Sequence, residues 1–332
     1  MFRALKSFIR ENLLFLIIII TILVVNFVKV PYDVEMPGGI INLNDRINID
    51  GKKIDIKGSY NMSYVGMVQG NIPYVLMGLI HPDWDVVKQE ENLYEGETIS
   101  DAARRSKLYL EESKNSAIVA AYKEANIEYD IENKINNVLY IDPKAKTDLK
   151  VGDNIISVNE KKIKDVNEIV KIVKSSKIGD ILNIEVLRDN KKVNTKTEVI
   201  KMDGEAKLGI VSLTTYDVKS EKKVSINTKS SESGPSGGLM MSLIIYNGII
   251  DEDITKGRRI VGTGTIDLDG NVGEIGGVKY KLMGAVKENA DVFLVPKDNY
   301  KEAMKVKKEK KYKIDIVKVN TLKEAIEYLE GD

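Results

Sequence analysis

Cysteine is absent from the 332 residues, so the chain carries no disulfide framework and no thiolate metal site, and it is compatible with life outside the cytosol. Histidine occurs once, as His81 in the polar, aromatic run His81-Pro82-Asp83-Trp84-Asp85, which reads as a surface loop and not as a ligand set. A nucleophile here therefore lacks its usual imidazole base almost entirely. No excess of one charge exists either: 50 basic residues balance 50 acidic ones, interspersed along the chain, which removes any general case for nucleic-acid binding. The only basic cluster, Lys305 to Lys313, reads as a solvated helix end.

What the chain does have is a serine set among glycines before an apolar run, Ser233-Gly234-Pro235-Ser236-Gly237-Gly238 and then Leu239-Met240-Met241. Glycines let another backbone approach the Ser236 hydroxyl, and free amides of Gly234, Ser236, Gly237 and Gly238 near a helix start can hold a developing oxyanion. The plain alternative is a turn followed by a capped helix. With histidine nearly excluded, a lysine has to be considered as the base, and Lys281 lies in Gly276-Gly277-Val278-Lys279-Tyr280-Lys281. Gly-x-Ser-x-Gly also fits the nucleophile elbow of α/β-hydrolases, but that fold needs a histidine after the serine and none follows. Gly262-Thr263-Gly264-Thr265 lacks the third glycine and the acid of a dinucleotide fingerprint, so no cofactor is expected, and no metal.

Gly234-Pro235-Ser236-Gly237-Gly238, Gly262-Thr263-Gly264-Thr265-Ile266, Asp269-Gly270-Asn271-Val272 and Ile275-Gly276-Gly277-Val278-Lys279-Tyr280-Lys281-Leu282 occur in an order and spacing that resemble the proteolytic domain of the Lon family. The likeness runs on through Ala290-Asp291-Val292-Phe293-Leu294-Val295-Pro296 and Asn299. It implies Ser236 as nucleophile, Lys281 as general base and Thr263 as a residue supporting the lysine. Gly237 stands where the family most often has alanine, and Ser233 where many members have an acid. An exposed lysine with a pKa near 10.4 cannot accept a proton at neutral pH, so Lys281 must be buried. Val278, Leu282, Ala285 and Val286 recur at helical spacing and would carry it along an apolar wall, while Lys279 and Lys287 read as solvent lysines.

Leu13 to Val28 is almost uninterruptedly apolar and predicts a retained membrane helix, with Phe8, Ile9 and Arg10 completing a span that is slightly short. No small-x-small cleavage site follows it. Arg3, Lys6 and Arg10 precede it, so a single-pass cell-membrane protein with a cytoplasmic N-terminus and an extracytoplasmic catalytic region is expected. Short β-like runs then extend from Tyr32 to Gly96, and Glu97 to Ala125 reads as helix from its alanine and leucine spacing. The stretch Val138 to Ile200, with Leu149-Lys150-Val151-Gly152-Asp153-Asn154-Ile155-Ile156-Ser157-Val158-Asn159, a helix from Val166 to Ser175 and a strand from Leu182 to Arg188, resembles a PDZ domain. Asn136-Asn137-Val138-Leu139 is the candidate remnant of its carboxylate-binding loop.

The expected architecture is α+β: residues 1–30 as cytoplasmic tip and transmembrane anchor, 31–125 as β-rich connector and helix, 126–200 as PDZ-like domain, and 201–332 as Lon-type α/β proteolytic domain starting from strands at Leu208 to Leu213 and Val224 to Thr228. Anchor, PDZ and protease in this order resemble the membrane-tethered PDZ-Lon proteases of Gram-positive bacteria, and the run Tyr32 to Gly39 shares in the likeness. No Gly-x-x-x-x-Gly-Lys-Ser/Thr motif occurs, so the resemblance implies ATP-independent cleavage of peptides or flexible segments, with PDZ positioning the substrate. The alternative is a tethered peptide-binding protein with an inactive Lon fold. A peptide or protein substrate and the membrane are the expected partners, and nucleic acid is not. Substrate, cleavage site and oligomeric state, a homo-oligomer included, are left open by the sequence.

Overall fold

Residues 2–250 and 252–331 are described by the computed structural model. Helices α1 (Phe2–Glu11) and α2 (Leu13–Phe27) meet at Asn12, through which the hydrogen-bond ladder continues from Asn12 N to Phe8 O at 3.0 Å and from Leu16 N to Asn12 O at 2.9 Å. The apolar stretch is thus helical as its composition requires, but it ends at Phe27. Its 15 residues span about 22 Å at about 1.5 Å each. Among the described residues no helix is long and apolar enough to cross a membrane, so the transmembrane helix expected from Leu13 to Val28 is not shown as a single full-length span.

The residues read as a connector build one half of a six-stranded mixed sheet. Lys29–Asn42 and Ser59–Asn71 pair antiparallel, with an irregularity at Gly38-Gly39, and Asp85–Lys88 closes the edge beyond Tyr32 to Glu35. On the other side Ser59–Asn71 runs parallel to Arg259–Gly262, which is followed by Val292–Pro296 and Asp315–Val319. Buried polar side chains tie this junction: Asn61 Nδ2 donates to Ile260 O at 3.1 Å and Ser63 Oγ to Gly262 O at 3.2 Å. The short helix α3 (Ile72–Ile80) leaves the end of the hairpin. Helix α4 (Ile99–Glu124), capped by Thr98, has the alanine-rich buried face its spacing predicts.

Between the two halves of that sheet the chain builds a second unit. Lys191–Glu198, Ile181–Arg188, Asn154–Val158, Asp130–Ile141 and Ile210–Lys219 form its sheet in that order, with α5 (Val166–Ser175) packed alongside and Asp165 capping it. Val138, Ile155, Ile169, Val173, Ile184 and Val186 form its separate core. Two readings are corrected here. Asn136-Asn137-Val138-Leu139 is the middle of a strand and not a loop. The strand expected from Leu208 to Leu213 opens as Ile210–Lys219 and pairs with Asp130–Ile141 in this second sheet, not in the sheet that holds Arg259–Gly262. Val224–Ile226 instead pairs with Ile47–Ile49.

The remaining helices are α6 (Gly238–Ile250), α7 (Val278–Lys287), α8 (Lys297–Lys310) and α9 (Leu322–Gly331). Helix α6 is apolar all round and lies in the core with Tyr60, Met62, Ala117, Leu294 and Leu329. Helix α7 packs on the opposite core cluster with Val261, Phe293 and Val295. The Asp269-Gly270 turn joins the antiparallel pair Thr265–Ile266 and Val272–Gly273.

Candidate active site

Ser236 lies half-buried in the turn immediately before α6, and the turn is held from three directions. Helix α4 supplies the first: Gly234 N donates to Ser106 O at 2.9 Å, and Ser113 Oγ donates to Pro235 O at 2.9 Å. The Lys107 ammonium caps the preceding loop at the carbonyls of Ser230 and Glu232. The strand loop after Gly262 supplies the second and third: Gly264 N donates to Ser236 O at 2.9 Å, and Leu239 N donates to Gly264 O at 3.1 Å.

Thr263 joins the serine turn to the lysine. Its fully buried hydroxyl donates to Ser236 O at 3.1 Å and accepts from Lys281 Nζ at 3.2 Å. Lys281 is only 4% exposed, and among the described residues no acidic side chain pairs with its charge. Burial pulls its pKa down from the ordinary 10.5 to about 8. Roughly one molecule in ten then carries the neutral amine at pH 7, against fewer than one in a thousand for a solvated lysine.

The wall that dries this lysine comes from both ends of the chain. Val278, Leu282 and Ala285 of α7 are fully buried, as the helical spacing predicts. A side chain at Gly284 would come within 3.3 Å of the Gly38-Gly39 backbone, and one at Gly38 would collide with the Tyr64 carbonyl. Gly284 therefore lets α7 lie directly on the N-terminal hairpin at its irregularity, where Gly38 and Gly39 leave room for Tyr64. Its first turn is pinned there as well: Lys279 Nζ donates to Asp85 Oδ2 at 2.8 Å, and Tyr280 Oη donates to the same oxygen. These two donors hold the Asp85 carboxyl below its usual range. Lys279 is thus an ion-paired strut and not the solvent lysine expected, whereas Lys287 is exposed.

Ser236, Thr263 and Lys281 converge, while the four backbone groups proposed for an oxyanion divide. Gly234 N is engaged with Ser106 O, and Gly238 N with Pro235 O at 3.2 Å. The amides of Ser236 and Gly237 make no hydrogen bond among the described residues, which leaves these two as donors. Ser233 is exposed, and neighbouring Glu232 turns away to Arg46 at 3.3 Å. His81 is a loop residue stacked on Trp84, with ring centroids 5.0 Å apart. Among the described residues no group of three or more histidine, aspartate or glutamate side chains could hold a metal ion. Sequence reasoning missed Ser113, Lys107, Asp85 and Tyr280. Only Ser113 left a signal, as a small polar residue on the apolar face of α4.

A separate groove of about 430 Å³ lies in the second unit between α5 and the edge strand that begins at Ile210. Ile169, Val170 and Val173 face Leu208, Ile210 and Val211 across it. Among the described residues Ile210–Lys219 has a strand partner on one side only, Asp130–Ile141, so its first residues, beside the groove, lack a second strand. The loop before it turns at Gly209, where φ is +70°, a conformation that favours glycine.

Residues 149–330 match the Lon protease C-terminal proteolytic domain. The chain is similar to the Lon protease of Campylobacter jejuni, 27% identical over 188 residues that make up 54% of this chain and 22% of that protein. It is also similar to Lon protease 2 of Borreliella burgdorferi, 26% identical over 163 residues, 46% of this chain and 20% of that protein. It thus spans about a fifth of the length of these relatives. Among solved structures, the PDZ domain of an SdrC-like protein from Listeria monocytogenes aligns with 24% of this chain and 86% of its own, at 20% identity and a TM-score of 0.22.

Proposed function

Because the chain belongs to the Lon protease C-terminal proteolytic domain family, whose members here support a peptidase of serine type, we propose that it is an endopeptidase in which Lys281 activates Ser236. The observation that carries this reading is the uncompensated, buried Lys281 ammonium, one threonine hydroxyl away from the Ser236 carbonyl. The neutral amine takes the Ser236 proton as Oγ bonds to the peptide carbonyl carbon. The carbonyl oxygen gains negative charge beside the free amides of Ser236 and Gly237. Collapse of this adduct breaks the C–N bond, the Lys281 ammonium returns its proton to the leaving amine, and water hydrolyses the serine ester. Thr263 is a positioning residue: it aims the amine and fixes the turn.

We also propose that the groove beside α5 receives an extended substrate segment along the open edge from Ile210, by strand addition, with the Lys207-Leu208-Gly209-Ile210 loop at its end. The protein is anchored at a membrane through α2 and its flanks, the short apolar length being met by Phe8 and Ile9 or by local thinning of the bilayer. Cleavage proceeds without nucleotide, in keeping with a sequence that has no phosphate-binding loop. Incubating the full chain with unstructured peptides in the absence of nucleotide, and mapping the cuts against Ser236→Ala, tests the catalytic reading. A serine-directed phosphonate should modify Ser236. An unmodified serine together with retained peptide binding would favour a binding protein instead.

A further inference from the structure

Helix α3 is written entirely in apolar residues apart from the Tyr74 hydroxyl: Ile-Pro-Tyr-Val-Leu-Met-Gly-Leu-Ile. A helix on a water-facing surface should alternate polar and apolar faces, and this one does not. Only Gly78 is buried, seated against Val34 and Val86, and the opposite side stands free, with Leu79 69% and Ile80 83% exposed. The adjoining surface is of the same kind. Asn71 caps α3 through Tyr74 N at 2.9 Å, and its amide donates to Asn26 O in the last turn of α2 at 2.6 Å. Ile22, Leu23 and Phe27 of α2 are also exposed, so one apolar surface runs from α2 onto α3. Its margin is amphipathic: Tyr32 and Tyr74 are partly exposed, the His81–Trp84 stack follows the end of α3, and Lys29 and Lys88 are exposed.

We propose that α3 is a second membrane contact, lying in the headgroup region of the bilayer beside the point where α2 emerges. The inference rests on the anchoring of α2 proposed above. Lipid is the occupant because the patch is continuous with α2, carries no charge, and is rimmed by the tyrosine, tryptophan and lysine side chains that favour a membrane interface. Two attachment points fix the orientation of the hairpin Lys29–Asn42 and Ser59–Asn71, on which α7 lies. Gly277, at the start of α7, sits over Val65, six residues of strand from Asn71, or about 20 Å. The substrate class that follows is the segment of a membrane protein immediately outside its own anchor, within reach of a site held close to the surface.

The absence of cysteine makes the test direct. Full chains carrying Ile19→Cys, Ile80→Cys or Ile178→Cys are each labelled with one fluorophore and placed in phosphatidylcholine and phosphatidylglycerol vesicles containing nitroxide lipids; Ile178, in the second unit, is the exposed control. The label at 80 should be quenched several-fold more than that at 178, chiefly by shallow nitroxides, and the label at 19 by deep ones. Quenching at 19 without quenching at 80 overturns the second contact and leaves the anchor standing. Quenching at 80 alone keeps the contact and removes the anchor, and quenching at neither removes both. Ready disulfide cross-linking through position 80 without lipid quenching would mean that a second copy covers α3, which also overturns it. Leu79→Glu with Ile80→Glu should slow cleavage of a vesicle-tethered peptide at least several-fold and leave a soluble peptide unaffected. Equal rates on both substrates would count against the proposal.

Discussion

The serine side and the lysine side of the site are stabilised in opposite ways. Around Ser236 the backbone is stitched by short-range and helix-borne hydrogen bonds, and the side chain stays half-exposed, as a group that must meet substrate has to be. Around Lys281 the described residues supply one side-chain hydrogen bond, to Thr263, and otherwise apolar surface from both ends of the chain. A nucleophile needs access and direction, whereas a lysine base needs dryness. The fold supplies the first with a turn and the second with a wall.

Two substitutions separate these needs. Ser236→Ala should lower peptide cleavage by at least about 10⁴-fold and leave the unfolding midpoint in place. Lys281→Met should lose as much activity and yet stabilise the fold. The folded lysine releases its proton near pH 8 and the unfolded one near 10.5, so stability of the native chain rises with pH between those values and its penalty is complete below them. Denaturant melts should show a gain for Lys281→Met on the order of 3 kcal/mol at pH 7, at most, shrinking to nothing above about pH 10.5. A destabilised Met variant would mean that the lysine is not a strained base.

The pH profile of kcat/KM gives the next largest effect. It should climb about tenfold per unit below pH 8 and level off above it, because the neutral amine is the active form. A flat profile from pH 6 to 9 would exclude Lys281 as the base. Thr263→Val removes one of the two donors to Ser236 O and, among the described residues, the acceptor for Lys281, with an expected loss of roughly ten- to a hundredfold. Since the threonine oxygen favours the ammonium, the profile should also move toward acid pH. A merely structural threonine would not move it. The smallest change is at Gly237→Ala. A methyl there would lie 2.6 Å from the Met62 sulfur, so this chain fills with methionine the space an alanine would occupy. Methionine is flexible, and stability should fall by about 1 kcal/mol or less, recovered by trimming Met62 to valine.

While α5 was read through the likeness of its surroundings to a PDZ domain, the serine turn and α4 could be read from the sequence because each carries its own local chemistry, glycines and a proline in the one and an alanine and leucine spacing in the other. The burial of Lys281 was legible for the same reason, in Val278, Leu282 and Ala285. What could not be read was partnership. Alternation marks Ile210–Lys219 as a strand without saying which sheet it joins, and it joined the second unit. Nothing in Ser59 to Asn71 names Arg259–Gly262 as a neighbour, nor does Asp85 name Tyr280. The apolar run at the N-terminus showed its character, but its helical end at Phe27 depends on where the strand from Lys29 begins.

Asn61 and Ile260 meet across the central sheet although 199 residues separate them, and the glycine pair beneath α7 stands farther still from it in the chain. Such remote pairing has to wait until the last third of the polypeptide has been made. In the mechanism proposed above, the amine until then has no shelter, keeps its proton and would not rouse the hydroxyl. On that proposal an unfinished copy would be harmless to itself and to its neighbours, and the power to cut would arrive only once those remote strands have met.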